Sequence, residues 1–178
     1  MSGIALFILI MIASNLEPTK ILSFKGQRLH RSASILIEAP VDKAFPLFGP
    51  VREKEWATGW EPEIIFTNDA WVEEHMIFQT KGQETGEKYI WAVTTYQPEK
   101  YLIEYTVLTN ERIWFIRVAC ASQGDKTSAT ISYTYTGLTD EGNRKNKLAI
   151  EKMFNNDLSD WEEAINYYLK TGQLLIDQ

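Results

Sequence analysis

The 178-residue sequence predicts an α+β domain, in which one long helix lies across a strongly curved antiparallel sheet of about seven strands. Three observations lead there. From Asn143 to Lys170 the chain contains no Gly or Pro, and Ile150, Phe154, Leu158, Trp161, Ile165 and Tyr168 recur at steps of three and four, the spacing of one helical face. Between Glu63 and Leu138, short runs rich in β-branched and aromatic residues alternate with turn residues. A short helical segment separates this series from an earlier strand. At 1.5 Å per residue the long helix would run roughly 40 Å, enough to cross a whole sheet. It cannot fill a concave sheet alone, so a cavity between the two is the natural consequence.

The fold is assigned to residues 28–172, and residues 1–27 are set apart as an apolar leader. Ile4 to Ala13 (IALFILIMIA) is continuously apolar but too short for a membrane-spanning helix, which needs about 20 residues. Its length matches the apolar region of a signal peptide, and Ala13-Ser14 offers small residues for cleavage, although no Lys or Arg precedes Ile4. Export or membrane contact through this run stands beside a disordered or docked apolar tail, so localisation stays open.

Arg31 to Ala39 alternates as a first strand, and Pro40 ends it. Val41 to Phe48 reads as a short helix with Ala44, Phe45 and Phe48 on its apolar side, kinked at Pro46 and broken by Gly49-Pro50. Val51 to Glu55 forms a second helical turn. Trp56 to Pro62 is a loop with two indoles, of which at least one should fold inward. Strands follow at Glu63–Thr67, His75–Lys81, Lys88–Tyr96, Tyr101–Leu108, Arg112–Ala121 and Thr127–Leu138. Their short connections, including 82–86, 97–99, 109–111 and 123–126, imply an antiparallel meander. The long helix then starts at Gly142-Asn143, with Asn143 as N-cap, and stops at Gly172. Glu151, Asn155, Glu162, Glu163 and Asn166 fall mostly on its polar, solvent side.

Strand parity groups Trp91, Val93 and Thr95 on one face; Ile103, Tyr105 and Val107 on another; then Trp114, Ile116, Val118 and Cys120; then Ile131, Tyr133 and Tyr135. If these faces look at the helix, the ligand-binding candidates are Trp60, His75, Trp91, Tyr105, Trp114, Tyr133, Tyr135, Phe154 and Trp161. The plainer alternative is that these rings only pack a core. Tyrosine hydroxyls tilt the balance, because buried hydroxyls need partners and a ligand can supply one. His75 opens a strand, where a histidine ordinarily faces water.

Several classes are excluded. The net charge of −6, without a Lys/Arg cluster, argues against nucleic acid. Cys120 is the only cysteine, so no intrachain disulfide and no cysteine metal cluster can form. With His30 and His75 far apart, no metal site is expected, and nothing calls for a cofactor. Cys120 continues an apolar face and reads as an inert thiol. The glutamate pairs 61/63, 73/74 and 162/163 read as solvated surface rather than a glycosidase pair. No nucleophile–base–orienter set is visible, and no catalytic residue is assigned.

The phrase Ala39-Pro40-Val41-Asp42-Lys43-Ala44-Phe45 after the first strand, and Trp91-x-Val93-x-x-x-x-Pro98 before Ile103-x-Tyr105, together with the order of elements, resemble the START / Bet v 1-like superfamily (SRPBCC) over roughly Leu29 to Lys170. That superfamily includes polyketide cyclase/dehydrase and lipid-transport proteins. The resemblance implies a helix-grip fold with a hydrophobic pocket, but no one activity. The leading expectation is binding or transport of a hydrophobic or amphipathic small molecule, lipid or polycyclic. The alternatives are a cyclase/dehydratase-type enzyme, in which His75, Tyr105 or Tyr133 moves a proton, and a partner-binding module with a filled core.

Overall fold

The computed structural model describes residues 24–68, 71–82 and 86–176. The apolar run Ile4–Ala13 and positions 83–85 of one turn lie outside the described residues. The elements are β1 (Arg28–Ile37), α1 (Val41–Ala44), β2 (Glu63–Phe66), β3 (Ile77–Lys81), β4 (Lys88–Gln97), β5 (Leu102–Leu108), β6 (Arg112–Gln123), β7 (Lys126–Gly137), α2 (Asp140–Lys152) and α3 (Leu158–Thr171). The strands form one antiparallel sheet in the order β1-β7-β6-β5-β4-β3-β2. Consecutive strands therefore pair as a meander, and β1 adds beside β7, from Arg28 opposite Thr136 to Ile37 opposite Thr127. Among the described residues no helix is long and apolar enough to cross a membrane.

The short helical segment begins as predicted. Pro46 turns the chain after α1 into a 3₁₀ turn, Phe45–Phe48, and a second 3₁₀ turn covers Glu53–Glu55. Both loop indoles fold inward. Trp56 is 1% exposed and donates to the Leu47 carbonyl at 2.8 Å, while Trp60 donates to the Pro50 carbonyl at 2.7 Å.

Alternation along β7 is complete: Thr127, Ala129, Ile131, Tyr133 and Tyr135 are buried, and the residues between them are not. In β4 the simple parity fails. Val93 lies opposite Tyr105 but Thr95 lies opposite Glu104, so Thr94 is an extra residue in the strand. This bulge reverses the faces beyond it. Thr95, expected beside Trp91 and Val93, instead donates to Glu104 at 3.0 Å, and Glu104 carries the ion pair with Arg117. Tyr96 turns inward and stacks on Phe45 at 6.1 Å.

The long helix departs from expectation in three ways. Its N-cap is Thr139, in extended conformation, whose hydroxyl accepts from the Gly142 N–H at 3.0 Å. Asn143, expected as the cap, is buried one turn inside, and its side-chain oxygen accepts from the Gln27 N–H at 2.8 Å. The Gly137 N–H donates to the Gln27 carbonyl at 3.1 Å, so main-chain contacts reach back just ahead of β1. Second, a π-helical turn, Met153–Asp157, separates α2 from α3. Third, the polar face of α3 is only partly in water. The Glu162 carboxylate accepts from the Leu36 N–H at 2.8 Å. Asn166 accepts from the Glu38 N–H at 2.8 Å and donates to the Leu36 carbonyl at 3.0 Å. These side chains occupy main-chain groups along the open side of β1, an edge strand that would otherwise be free to pair with another chain. The stop at Gly172 is as predicted, in left-handed conformation with φ 68.

Candidate functional site

The concave face of the sheet carries a connected set of rings. Trp60 meets Trp91 at 5.3 Å, and Trp91 stacks on Phe78 at 5.4 Å and meets Tyr105 and Trp114 at 6.0 and 6.4 Å. Trp114 lies 5.8 Å from Tyr135, Tyr135 stacks on Tyr133 at 5.5 Å, and Tyr133 meets Phe154 of the π turn edge-on at 6.1 Å. Most such pairs are edge-on or offset, the arrangements favoured by ring quadrupoles. Seven of the expected residues are thus neighbours in one wall. Trp161 joins a second, shorter arm, 5.5 Å from Trp56, which in turn meets Phe48. His75 is not in either group. It holds a left-handed conformation, φ 70, just before β3, and its imidazole stands in solvent 3.8 Å from the Glu74 carboxylate. By sequence it is a site candidate, although a histidine at a strand edge is expected to face water, and water is where it lies.

Several polar edges of this wall are pinned by protein. The Tyr105 hydroxyl donates to the Phe48 carbonyl at 2.6 Å, and the Trp91 N–H to Thr80 at 2.9 Å. The hydroxyls of Tyr133 and Tyr135 have no hydrogen-bond partner among the described residues. Burial raises the pKa of both, Tyr133 well above the ordinary value, so both are neutral donors.

Sequence reasoning missed Glu53. It sits in the 3₁₀ turn after Gly49, whose carbonyl accepts from the Glu53 N–H at 3.0 Å. Part of the residue stays accessible, yet desolvation pushes its carboxyl pKa up to about 8, and its charge is felt by Tyr105 and Tyr133 on the concave face. These observations agree if the carboxyl is turned inward while the turn backbone keeps the open surface. At neutral pH the group is mostly a neutral acid, able to donate as well as accept. Glu55, two residues on, is its opposite. Arg52 at 2.8 Å and the Tyr168 hydroxyl at 2.6 Å hold its carboxylate below the ordinary range.

Two more inward polar residues went unread. Arg112 lies two residues before Trp114, hence on the same face, with its guanidinium 4.8 Å above the indole. Asn146 lies one turn before Ile150 on the buried stripe of α2. Extending the strand parity and the helix stripe by one step would have found both. Glu53 offers no periodic signal, because a 3₁₀ turn of three residues has no face to read.

Cys120 is buried, and its thiol pKa is pushed up to about 12, which removes it as a nucleophile. No cluster able to hold a metal occurs among the described residues. Two open surface grooves, about 490 Å³ beside Ile90 and Leu108 and about 660 Å³ between Pro40 and Tyr167, lie apart from the ring network.

No family model and no curated protein matches this sequence. Solved structures do. Zhui aromatase/cyclase from Streptomyces sp. R1128 aligns over 84% of this chain and 100% of its own, with a TM-score of 0.61 at 10% identity. Norcoclaurine synthase from Thalictrum flavum, in complex with dopamine and hydroxybenzaldehyde, aligns over 82% and 87%, with 0.59 at 14% identity. The chain has the Bet v 1-like helix-grip fold. Ara h 8.0201 agrees, over 83% and 99%, with 0.55 at 14% identity. At such identities the likeness establishes the architecture. Within the helix-grip frame the ring network occupies the face that the long helix covers.

Proposed function

We propose that this helix-grip chain binds a hydrophobic or amphipathic small molecule, flat and partly aromatic, between its long helix and the concave face of the sheet, as a carrier without chemistry of its own. The observation that carries this reading is the pair of neutral Tyr133 and Tyr135 hydroxyls, unpartnered within an aromatic wall. Their residues are almost fully buried, yet the two oxygens are not among the closed-off unsatisfied atoms, so they face a space in which a ligand oxygen can take the hydrogen bond. Structural neighbours named for aromatic small molecules and for aromatase/cyclase activity support a ligand of this class. Residues 28–172, with the few residues tied to Asn143, form the binding domain. A chain starting at Phe24 should therefore bind as the full chain does.

The test is titration of tryptophan fluorescence with a flat naphthol, using the full chain. Saturable quenching that weakens in Trp91→Ala is expected. Linear quenching, equal to that of free indole, overturns the reading. Native mass spectrometry of protein from its own cells then identifies the resident molecule.

One observation favours a second reading, a cyclase/dehydratase-type enzyme. Glu53 titrates close to neutral pH on the side of Tyr105 and Tyr133, as a general acid–base should. Loss of one water from an added poly-β-ketone thioester, abolished in Glu53→Gln, would decide for it.

A further inference from the structure

We infer that the interior has an oxyanion-recognising pole at the Trp114–Tyr135 end, formed by Arg112 and Asn146, and that the ligand presents a carboxylate to it. This rests on the binding reading above and adds the chemical class of the ligand's polar end.

Three buried side-chain polar atoms lack a partner among the described residues: Arg112 Nε and both amide atoms of Asn146. Asn146 is 1% exposed, so neither amide atom is satisfied by bulk water. Backbone packing seats the helix that carries it on the strand ends around Arg112. Arg112 pairs with Gly137 across β6 and β7. A Cβ on Gly137 would overlap Asn143, and a Cβ on Gly142 would overlap the Glu111 carbonyl. The first turns of α2 are thus seated directly on the residues flanking Arg112. Asn146 lies one turn further along the same buried stripe of α2, the helix that packs on β7 and, to a lesser extent, on β6.

The carboxylates around this spot are engaged by other cations. Glu87 and Glu111 both pair with Lys145, and Asp157, whose charge reaches Tyr135, pairs with Lys152. Arg112 itself makes no ion pair among the described residues. The cation–π contact with Trp114 holds the guanidinium in place but uses none of its N–H groups. The Tyr135 hydroxyl adds a further unpartnered donor, on a ring 5.8 Å from Trp114. Guanidinium, amide and phenol together offer N–H and O–H groups against an apolar wall. A carboxylate is acceptor-only and matches a guanidinium in plane and spacing. A neutral carbonyl can accept from Arg112 Nε but leaves the guanidinium without a counter-charge and without the two-point match of a carboxylate.

The experiment compares naphthalene-2-carboxylate with naphthalene-2-carboxamide on the full chain by fluorescence titration at pH 7. The wild type should prefer the carboxylate by about ten- to a hundredfold. In Arg112→Gln and in Asn146→Leu the ratio should fall towards one. Asn146→Leu should at the same time raise Tm, because it removes an unsatisfied amide, so lost preference cannot be laid to unfolding. If both probes saturate the wild type with equal affinity, the pole is wrong and the pocket stands. If the preference survives in both variants, Arg112 and Asn146 are not its source. If neither probe saturates, the binding reading falls and the pole with it.

Discussion

Helix α3 grips the sheet with Leu158 and Ile165 buried and Trp161 against Trp56, and it sets Glu162 and Asn166 on main-chain groups of β1. Helix α2 buries Gly142, Asn143, Asn146 and Ile150 along its inner stripe. There one asparagine is bonded to Gln27, and the other is bonded to nothing described. Both halves place polar side chains against the sheet, but only α3 and the first turn of α2 satisfy them. A satisfied polar contact stabilises by fixing an edge. An orphaned one lowers stability, so its presence needs a reason outside folding. The contrast separates a half that holds the domain together from a half that recognises something.

The largest effect expected is on the holding half. Trp161→Ala should lower unfolding free energy by about 3 kcal/mol or more, and Ile165→Ala by about 2 to 5, measured by urea denaturation. A loss below about 1 kcal/mol from both would break the assignment of α3 as the anchor.

A desolvated carboxyl and a paired one stand two residues apart in the turn that holds Glu53 and Glu55, and pH sharpens that contrast. Unfolded Glu53 loses its proton near pH 4.5, whereas folded Glu53 keeps it up to about 8. Between those values the folded state binds more protons, so this residue makes stability fall as pH rises. Glu55 acts in reverse: its lowered pKa stabilises above the ordinary carboxylate range and loses that effect as pH falls. Thermal melts from pH 4.5 to 8 should show a decline that flattens in Glu53→Gln. A wild-type profile no steeper than the variant's would place the Glu53 carboxyl in water.

A smaller loss follows from Glu162→Ala. It leaves the Leu36 N–H without its acceptor and should cost about 1 to 2 kcal/mol. Glu163→Ala, exposed and one residue on, is the control and should change stability by less than about 0.5 kcal/mol. Equal small effects would return Glu162 to solvent. The smallest change has the opposite sign: Asn146→Leu should gain about 1 kcal/mol, since it exchanges an unsatisfied amide for an apolar group of similar size.

Most of the architecture was legible because it rests on periodicity. Alternation along β6 and β7 and the three-and-four spacing from Ile150 to Tyr168 report burial directly, and the wall from Trp91 to Tyr135 follows from parity. What failed was whatever changes phase or has none. The extra residue at Thr94 sent Thr95 outward. The left-handed turn at His75 removed a site candidate. Thr139 capped the helix because Asn143 was needed inside, where close approach of Gly142 to Glu111 sets the packing. Glu162 and Asn166 read as solvent-facing because their partners are backbone groups of β1, and sequence does not show which strand edge a helix will cover. Glu53, Arg112 and Asn146 are polar residues at inward positions, and a pattern search for apolar spacing passes over them.

The π turn at Met153–Asp157 has a consequence best put in terms of insertions and deletions. Each residue of an α-helix turns the chain by about 100°, and a π turn absorbs one residue more than an α turn would. Without that extra residue, Gly142, Asn146 and Ile150 align with Leu158, Trp161 and Ile165 along one uninterrupted helix. With it, an unbroken α-helix would still hold Ile150, Leu158, Trp161 and Ile165 on one face but would set Gly142 and Asn146 off to its side, and the widened turn narrows that spread. The turn therefore has the form of a one-codon insertion that the fold has accommodated. Removing a single codon within 153–157 should leave both inner stripes on the sheet and straighten the helix. Removing Ala164 instead should swing Ile165, Tyr168 and the rest of α3 by about 100° away from the sheet and lower stability severely. Within this helix, the five positions of the turn are where the reading frame of the grip can lose a residue and still close.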